Sequence, residues 1–219
     1  IYKVNVEGTR NILRLAVKHH VERVIHVSTI HAIPEKPAGE IILETDTFDE
    51  NLVKGEYSKS KAVASRIALQ AAREGLNLSI VHPSGIIGPN DWRHGQITST
   101  IISYCKGKLP AGVRGGNNFV DVRDVADGIL TCAENGTAGE CYILSGHNTT
   151  VKAILEHVKT IINGKRLVYL PLWLVKMIAP IYERNAVMRH EASFLTPYSA
   201  YALGSNANYS HEKATKAFG

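Results

Sequence analysis

Residues 57–89 read YSKSKAVASRIALQAAREGLNLSIVHPSGIIGP, and the pattern changes twice within them. From Tyr57 to Glu74 the run is rich in Ala, Leu, Lys, Arg and Gln, which lose little freedom in a helix, and it stops at Gly75. NLSIVHP (77–83) then reads as a short, nearly continuous apolar strand, closed by the loop PSGIIGPND (83–91). A second β-branched run, ERVIHVS (22–28), lies upstream of the helix, and a third strand is expected at GECYILS (139–145). Strands apolar along their whole length, alternating with helices, predict an α/β fold around a parallel sheet covered on both faces.

Working outward, Val4, Ile12, Leu13, Leu15 and Ala16 form an apolar stripe that predicts an amphipathic helix over roughly 3–19. Residues 30–55 carry Pro34, Pro37, Gly39 and several acids and are expected to form an ordered loop. Further helices are expected over 95–106, over VRDVADGILTCAE (122–134) after Asp121, and over TVKAILEHVKTIIN (150–163) with a threonine cap. NNFV (117–120) should be extended, a short strand is expected at 166–169, and the remainder alternates helical patterns.

The bulk composition narrows the function. The chain has 219 residues, 44% hydrophobic and 21% charged, with a formal charge of +5. The basic residues are scattered, which argues against a nucleic-acid partner. Three cysteines without CxxC spacing suit free thiols in a reducing compartment, hence a cytoplasmic location, and ten histidines without HExxH or a Cys/His cluster predict no metal site. The most apolar stretch, 170–182, contains Lys176 and two prolines and is too short to span a bilayer, so no membrane partner is expected.

Tyr57 and Lys61 are four residues apart at the start of a helix and share a face. Tyr104/Lys108 and Tyr209/Lys213 repeat the spacing, so spacing alone carries no chemistry. Gly107 and Pro110 break any helix around Lys108, and Ser210 is expected to cap a short solvated helix containing Lys213. Only the first pair has strand-end hydroxyls near it. In an open parallel sheet ligands sit beyond the carboxyl ends of the strands, where Ser28, Thr29, Pro83, Ser84 and Gly85 fall. A free phenol ionises near pH 10, and a neighbouring ammonium is expected to lower that value. Tyr57 then suits proton exchange with a carbonyl or alcohol oxygen, with Thr29 bonded to the same oxygen. Hydride transfer would need a nicotinamide cofactor.

YKVNVEGTRNIL (2–13), RVIHVST (23–29), YSKSK (57–61), VHPSGIIGP (81–89) and NFVDVRDVADGI (118–129) occur in the order and spacing of one family. The chain resembles the extended short-chain dehydrogenase/reductases, or NAD-dependent epimerase/dehydratase family, over nearly its whole length. The resemblance implies a doubly wound parallel-sheet (Rossmann-type) domain over 1–145, with 85–120 contributing partly to a small, mostly helical substrate region over 146–219. It implies Tyr57 as acid/base, Lys61 on the cofactor ribose, and Thr29 in the place of a catalytic serine. Asn5, Ser28, Pro83, Ser84 and Ile86 would lie along NAD or NADP, while Asp124 would be structural. The family's glycine-rich phosphate turn, and the residue that selects the cofactor, are not among these 219 residues. The N-terminal half of the dinucleotide-binding sheet is therefore expected to lie outside them, and a chain confined to them should not fold alone or bind cofactor well.

STIHAIPEKP (28–37) lacks the features that usually follow the catalytic hydroxyl in nucleotide-sugar enzymes. The expectation is an oxidoreductase of the dihydroflavonol-reductase or hydroxysteroid-dehydrogenase type, acting on a small, fairly apolar ketone or alcohol. A sugar-nucleotide epimerase with retained NAD, and a non-catalytic nucleotide-binding or redox-sensing protein, are the alternatives. A homodimer through helices 3–19 and 57–74 is also implied, with Leu13, Val17, Val63 and Ile67 on the shared edge, though helix–sheet packing would explain the same residues. His31 and His82 lie near the site and read most simply as satisfied or solvent-facing histidines. Trp173, Met177 and Tyr182 would line a substrate pocket or pack in a core.

Overall fold

The computed structural model describes residues 1–188 and 195–219. Two compact units divide the chain, one of Ile1–Ile86, Phe119–Gly146 and Asn208–Gly219, the other of Ile87–Asn118 and His147–Ala207. The closing residues, which the sequence reading placed with 146–219, thus belong to the first unit. The strands are β1 (Val24–Val27), β2 (Leu78–Pro83), β3 (Gly85–Ile87), β4 (Gly112–Arg114), β5 (Gly116–Asp121), β6 (Cys141–Leu144), β7 (His147–Thr150) and β8 (Tyr169–Pro171). The helices are α1 (Gly8–Lys18), α2 (Glu56–Arg73), α3 (Gln96–Cys105), α4 (Val122–Asn135), α5 (Val151–Ile162), α6 (Leu172–Met188), α7 (Pro197–Ala202) and α8 (Glu212–Phe218).

In the first unit β1, β2 and β6 form a parallel sheet with β2 in the centre. The register runs from Val24↔Leu78 to Val27↔Val81, and from Ile80↔Cys141 to Pro83↔Leu144. Ile25, Val81, Tyr142 and Leu144 pack against Val125, Ile129 and Cys132 of α4 and against Ala214 and Phe218 of α8. Because side chains alternate along a strand, His26, Ile80, His82 and Ile143 face the other way, the side on which α2 packs against β2. Ile80 and Val81 are both fully buried, one on each face, each contributing about 1.5–3 kcal/mol of apolar burial.

Small residues let α2 lie close to its neighbours: Ser58, Ser60, Ala62, Ala64, Ser65 and Ala68 are all buried. The helix is entered through Gly55 at φ 88°, a conformation that a Cβ would strain. Its far end is Gly75, at φ 104°. Ahead of α1 the chain makes one π-helical turn over Lys3–Glu7, so the helix expected over 3–19 begins irregularly. The two sheet edges differ. At β6 the Glu44 carboxylate accepts the Ile143 N–H at 2.9 Å, and Ile42 pairs with Tyr209 beyond it. At β1 no strand lies on the outer side among the described residues, and Val27 is 41% exposed.

The second unit is built on a parallel pair, β4 with β8, in the register Gly112↔Tyr169 to Arg114↔Pro171. A Cβ on Gly112 would stand 2.5 Å from the Tyr169 ring, so only glycine permits this approach. Tyr104, Val151 and Leu155 form one core with Ile97, Leu167 and Leu203, while Val175, Ala179 and Ala200 form another with Val113 and Leu170. Thr150 caps α5 by accepting the Ala153 N–H at 3.0 Å. The strand expected at 166–169 is displaced to Tyr169–Pro171, and α6 continues through Pro180. Among the described residues no helix is long and apolar enough to cross a membrane, and no His/Cys/Asp/Glu cluster could hold a metal ion.

Candidate active site

Pairing of β1 with β2 continues one residue past β1, where the Ser28 N–H donates to the Val81 carbonyl at 2.8 Å. The chain then turns into a 3-10 segment, Ile30–Ala32, with Thr29 as its N-cap. Thr29 is 7% exposed, and its hydroxyl oxygen accepts the His31 N–H at 3.4 Å, leaving the hydroxyl proton to donate elsewhere. The first turn of α2 brings Tyr57 to it, close enough for the Thr29 side chain to act on the Tyr57 phenol and draw its pKa down. The two residues assigned to acid–base chemistry from the sequence therefore meet, although 28 positions separate them in the chain (57 − 29).

The electrostatics differ from the expectation. Burial raises the Tyr57 pKa above its usual 10, with the nearby Thr29 side chain opposing in part. The predicted lowering by Lys61 is corrected here: the Lys61 Nζ donates instead to the Val27 carbonyl at 2.8 Å, and burial lowers its own pKa. Tyr57 is thus a protonated phenol at neutral pH, still 41% exposed and able to reach a ligand. Such a group is poised to give a proton.

Asn5, in the π-helical turn, donates from Nδ2 to the Ser60 Oγ at 2.9 Å, and Ser60 donates to the Tyr57 carbonyl at 2.8 Å. This relay pins the turn of α2 that carries the phenol. Ser60 escaped the sequence reading although it stands inside YSKSK, because a serine within a helix gives no sign of a long-range donor. Ser28 is 6% exposed and its hydroxyl lies 2.6 Å from that of Ser65, which ties α2 to the end of β1.

These residues bear on whether a nicotinamide nucleotide suits the site. Ser84, directly after β2, has a buried Oγ with no partner, a cost normally met by a ligand or water. Pro83 is buried beside it and Ile86 is 46% exposed. Lys61 spends one N–H on Val27 and keeps two for other acceptors, such as ribose hydroxyls. The donor set fits the nicotinamide–ribose end of such a cofactor. When bound, that group would supply the hydride.

Neither decoy pair forms a site. Tyr104 is buried and donates to the Lys165 carbonyl at 2.8 Å, while Lys108 lies beyond the end of α3. Tyr209, expected in a solvated setting, is 8% exposed beside Ile42, and Lys213 pairs with Glu140 at 2.5 Å. Asp124 is an exposed first-turn acid of α4. Core packing does not explain Trp173, Met177 and Tyr182, which are all exposed on α6, whereas Val175 and Ala179 of that helix are buried. A groove of about 740 Å³ lined by Glu44, Glu140, Tyr142 and Lys213 lies by the amino end of β6, away from the strand ends that carry Thr29 and Ser84.

Residues 1–145 match the model of a family described as the NAD dependent epimerase/dehydratase family. A Synechocystis sp. protein with the provisional name dihydroflavonol 4-reductase is 37% identical over 191 residues, covering 84% of this chain and 55% of that protein. Sterol demethylase protein B of Methylococcus capsulatus is 32% identical over 166 residues, covering 76% of this chain and 50% of that protein. The chain thus spans about half the length of these two relatives. Among solved structures, gox2253 superposes with a TM-score of 0.81 at 32% identity, covering 99% of this chain and 66% of that one.

Proposed function

The chain belongs to the NAD dependent epimerase/dehydratase family, and on that premise we propose that it carries the acid–base residues of an NAD(P)-dependent oxidoreductase interconverting a ketone and a secondary alcohol. The observation behind this reading is the Tyr57 phenol, set beside Thr29, with burial holding its pKa above the usual 10. As hydride arrives at a carbonyl carbon, negative charge develops on its oxygen. Thr29 donates a hydrogen bond to that oxygen and Tyr57 Oη gives it a proton, which completes the alcohol. Lys61 holds the ribose and fixes α2 against β1, and Asn5 and Ser60 hold the turn beneath the phenol.

The substrate proposed is small and fairly apolar. Relatives whose names refer to a dihydroflavonol and to a sterol support this. The test is a panel of apolar ketones and the matching alcohols, assayed with NADH and NADPH on the full-length protein and its Tyr57→Phe variant. Reduction by wild type and loss in the variant by roughly a hundredfold or more is the expected result. Equal rates for the two proteins on every accepted ketone would end the acid–base assignment. Product epimer formed on retained NAD, with no added cofactor, would replace the reading with an epimerase. Cofactor binding without turnover across the panel would replace it with a nucleotide-binding role.

A further inference from the structure

His82 is a fully buried polar side chain near the site that the proposed chemistry leaves unused. It is 0% exposed, on the face of β2 turned toward α2, with its ring stacked on Phe48 at a centroid distance of 5.4 Å. Its Nδ1 lies 3.0 Å from the Thr29 carbonyl oxygen, while its Nε2 has no partner. A carbonyl oxygen only accepts, so Nδ1 bears the proton and Nε2 carries a bare lone pair in the neutral ring. The opposite tautomer would set two lone pairs against each other at Thr29 and bury an unused N–H.

We infer that His82 is a positioning residue for the acid–base pair, its Nδ1–H clamping the Thr29 carbonyl so that the Thr29 hydroxyl meets the Tyr57 phenol. The carbonyl also accepts the Ala32 N–H at 3.1 Å, so both of its lone pairs are taken. One bond comes from the local 3-10 turn and the other from β2, 53 residues away in sequence. Without the second, the peptide after β1 is held on one side only, and the Thr29 side chain is free to swing with it. An apolar side chain would fill the space beside Phe48 but would not supply this clamp.

The charged group that acts on His82 is Lys61 on α2, and His82 in turn disfavours a proton on His26 of β1. With burial, Lys61 works against a proton on His82, and the Thr29 bond only partly opposes them; its pKa falls to about 4. His82 is therefore a fixed neutral donor and takes no part in proton exchange.

The inference rests on the proposed roles of Thr29 and Tyr57, and its test includes readouts that need no turnover. His82→Leu retains bulk, His82→Asn places an amide N–H close to where Nδ1 stood, and His82→Gln places it one carbon further out. Each is made in the full-length protein, with thermal melting as the check of folding. In ketone reduction, kcat is expected to fall roughly tenfold or more in the Leu and Gln variants, with KM nearly unchanged, and to recover within about threefold in the Asn variant. The Tyr57 phenol, titrated by its ultraviolet absorbance, should ionise at higher pH in the Leu and Gln variants, because the nearby Thr29 side chain lowers its pKa. It should return toward the wild-type value in the Asn variant. Nitrogen NMR of the wild-type protein should show His82 protonated at Nδ1 only. If the proteins reduce no ketone, the phenol titration and the NMR still decide. A proton found on Nε2, an unmoved phenol pKa in a folded Leu or Gln variant, or an Asn variant no better than the Gln one would each overturn the inference.

Discussion

The Lys61 Nζ stands 2.8 Å from the Val27 carbonyl oxygen, at the last residue of β1. Because Val27 is 41% exposed on the open side of the strand, this bond holds α2 to the sheet at the point where a ligand would arrive. In the proposed reading one side chain has two duties, and they separate experimentally. Lys61→Met removes both, and the KM for NAD(P)H is expected to rise roughly tenfold or more. Lys61→Arg retains charge and donors but not the compact ammonium, and should recover only part of the affinity. An unchanged cofactor KM in Lys61→Met would show that the ammonium serves α2 alone.

The raised pKa of Tyr57 predicts the pH dependence of the proposed reaction. Reduction needs the phenol, which stays protonated until pH passes a value above the ordinary 10. The rate of reduction, measured as kcat/KM, should therefore be flat through neutrality and fall only in strong alkali. Alcohol oxidation needs the phenolate and should instead rise with pH across the same range. A limb in the reduction profile near pH 7, lost in Tyr57→Phe, would show that another group lowers the phenol pKa in the working enzyme.

Gly55 sets where α2 begins. At φ 88° an alanine there is strained, and Gly55→Ala should cost about 1–2 kcal/mol of stability. Since Glu56 and Tyr57 follow directly, kcat should fall by more than the melting temperature implies. A variant with wild-type melting and wild-type turnover would show that the turn relaxes without strain.

Burial of the two sheet histidines makes stability depend on acid. His26 is lowered to about 3 and His82 to about 4, burial being the largest cause of each. Unfolded, each would titrate near 6.5. Between 6.5 and those folded values the unfolded chain binds more protons, so stability falls as pH falls through that window. His82→Asn removes one of the two groups, and its melting temperature should decline less steeply than that of wild type between pH 7 and pH 5. Parallel declines would mean that carboxylates alone govern acid stability.

Association through α1 and α2 is the proposal for the quaternary state. Leu13 and Val63 are buried within the chain and Ile67 is half-buried, so packing within the chain accounts for much of the expected edge. Val17, Ile12 and Leu15 of α1 are 57%, 63% and 42% exposed and supply the apolar surface instead. Sedimentation of the full-length protein at micromolar concentration should give a dimer, and Ile12→Lys with Val17→Lys should give monomers. A wild-type monomer under those conditions would remove the proposal.

The elements around the site were legible because their patterns are local. The helix expected from Tyr57 to Glu74 is α2, Glu56–Arg73, and the strand expected over 77–83 is β2, Leu78–Pro83. Each is a run of suitable residues closed by Gly75 or by the Pro83–Gly85 turn. The three-residue strands β4 and β8 are too short to show alternation, and their pairing depends on Gly112 meeting the Tyr169 ring, 57 positions on (169 − 112). α6 was obscured by Pro180, which tertiary packing of Val175 and Ala179 overrides.

By itself the sequence determined the kind of fold and the cast of candidate groups: a hydroxyl after β1, a tyrosine and a lysine on one helical face, and a Pro–Ser–Gly turn after β2. These follow from periodicity and from the fixed geometry of helices and strands. Tertiary structure alone decided how the groups behave. Tyr57 is raised rather than lowered because burial outweighs the effect of the nearby Thr29, and Lys61 is turned toward a carbonyl 34 residues away. His82, ordinary as a letter in the sequence, becomes a clamp because β2 sets its ring against the Thr29 carbonyl. Desolvation and hydrogen-bond partners are contributed by residues distant in the chain, and no local pattern carries them.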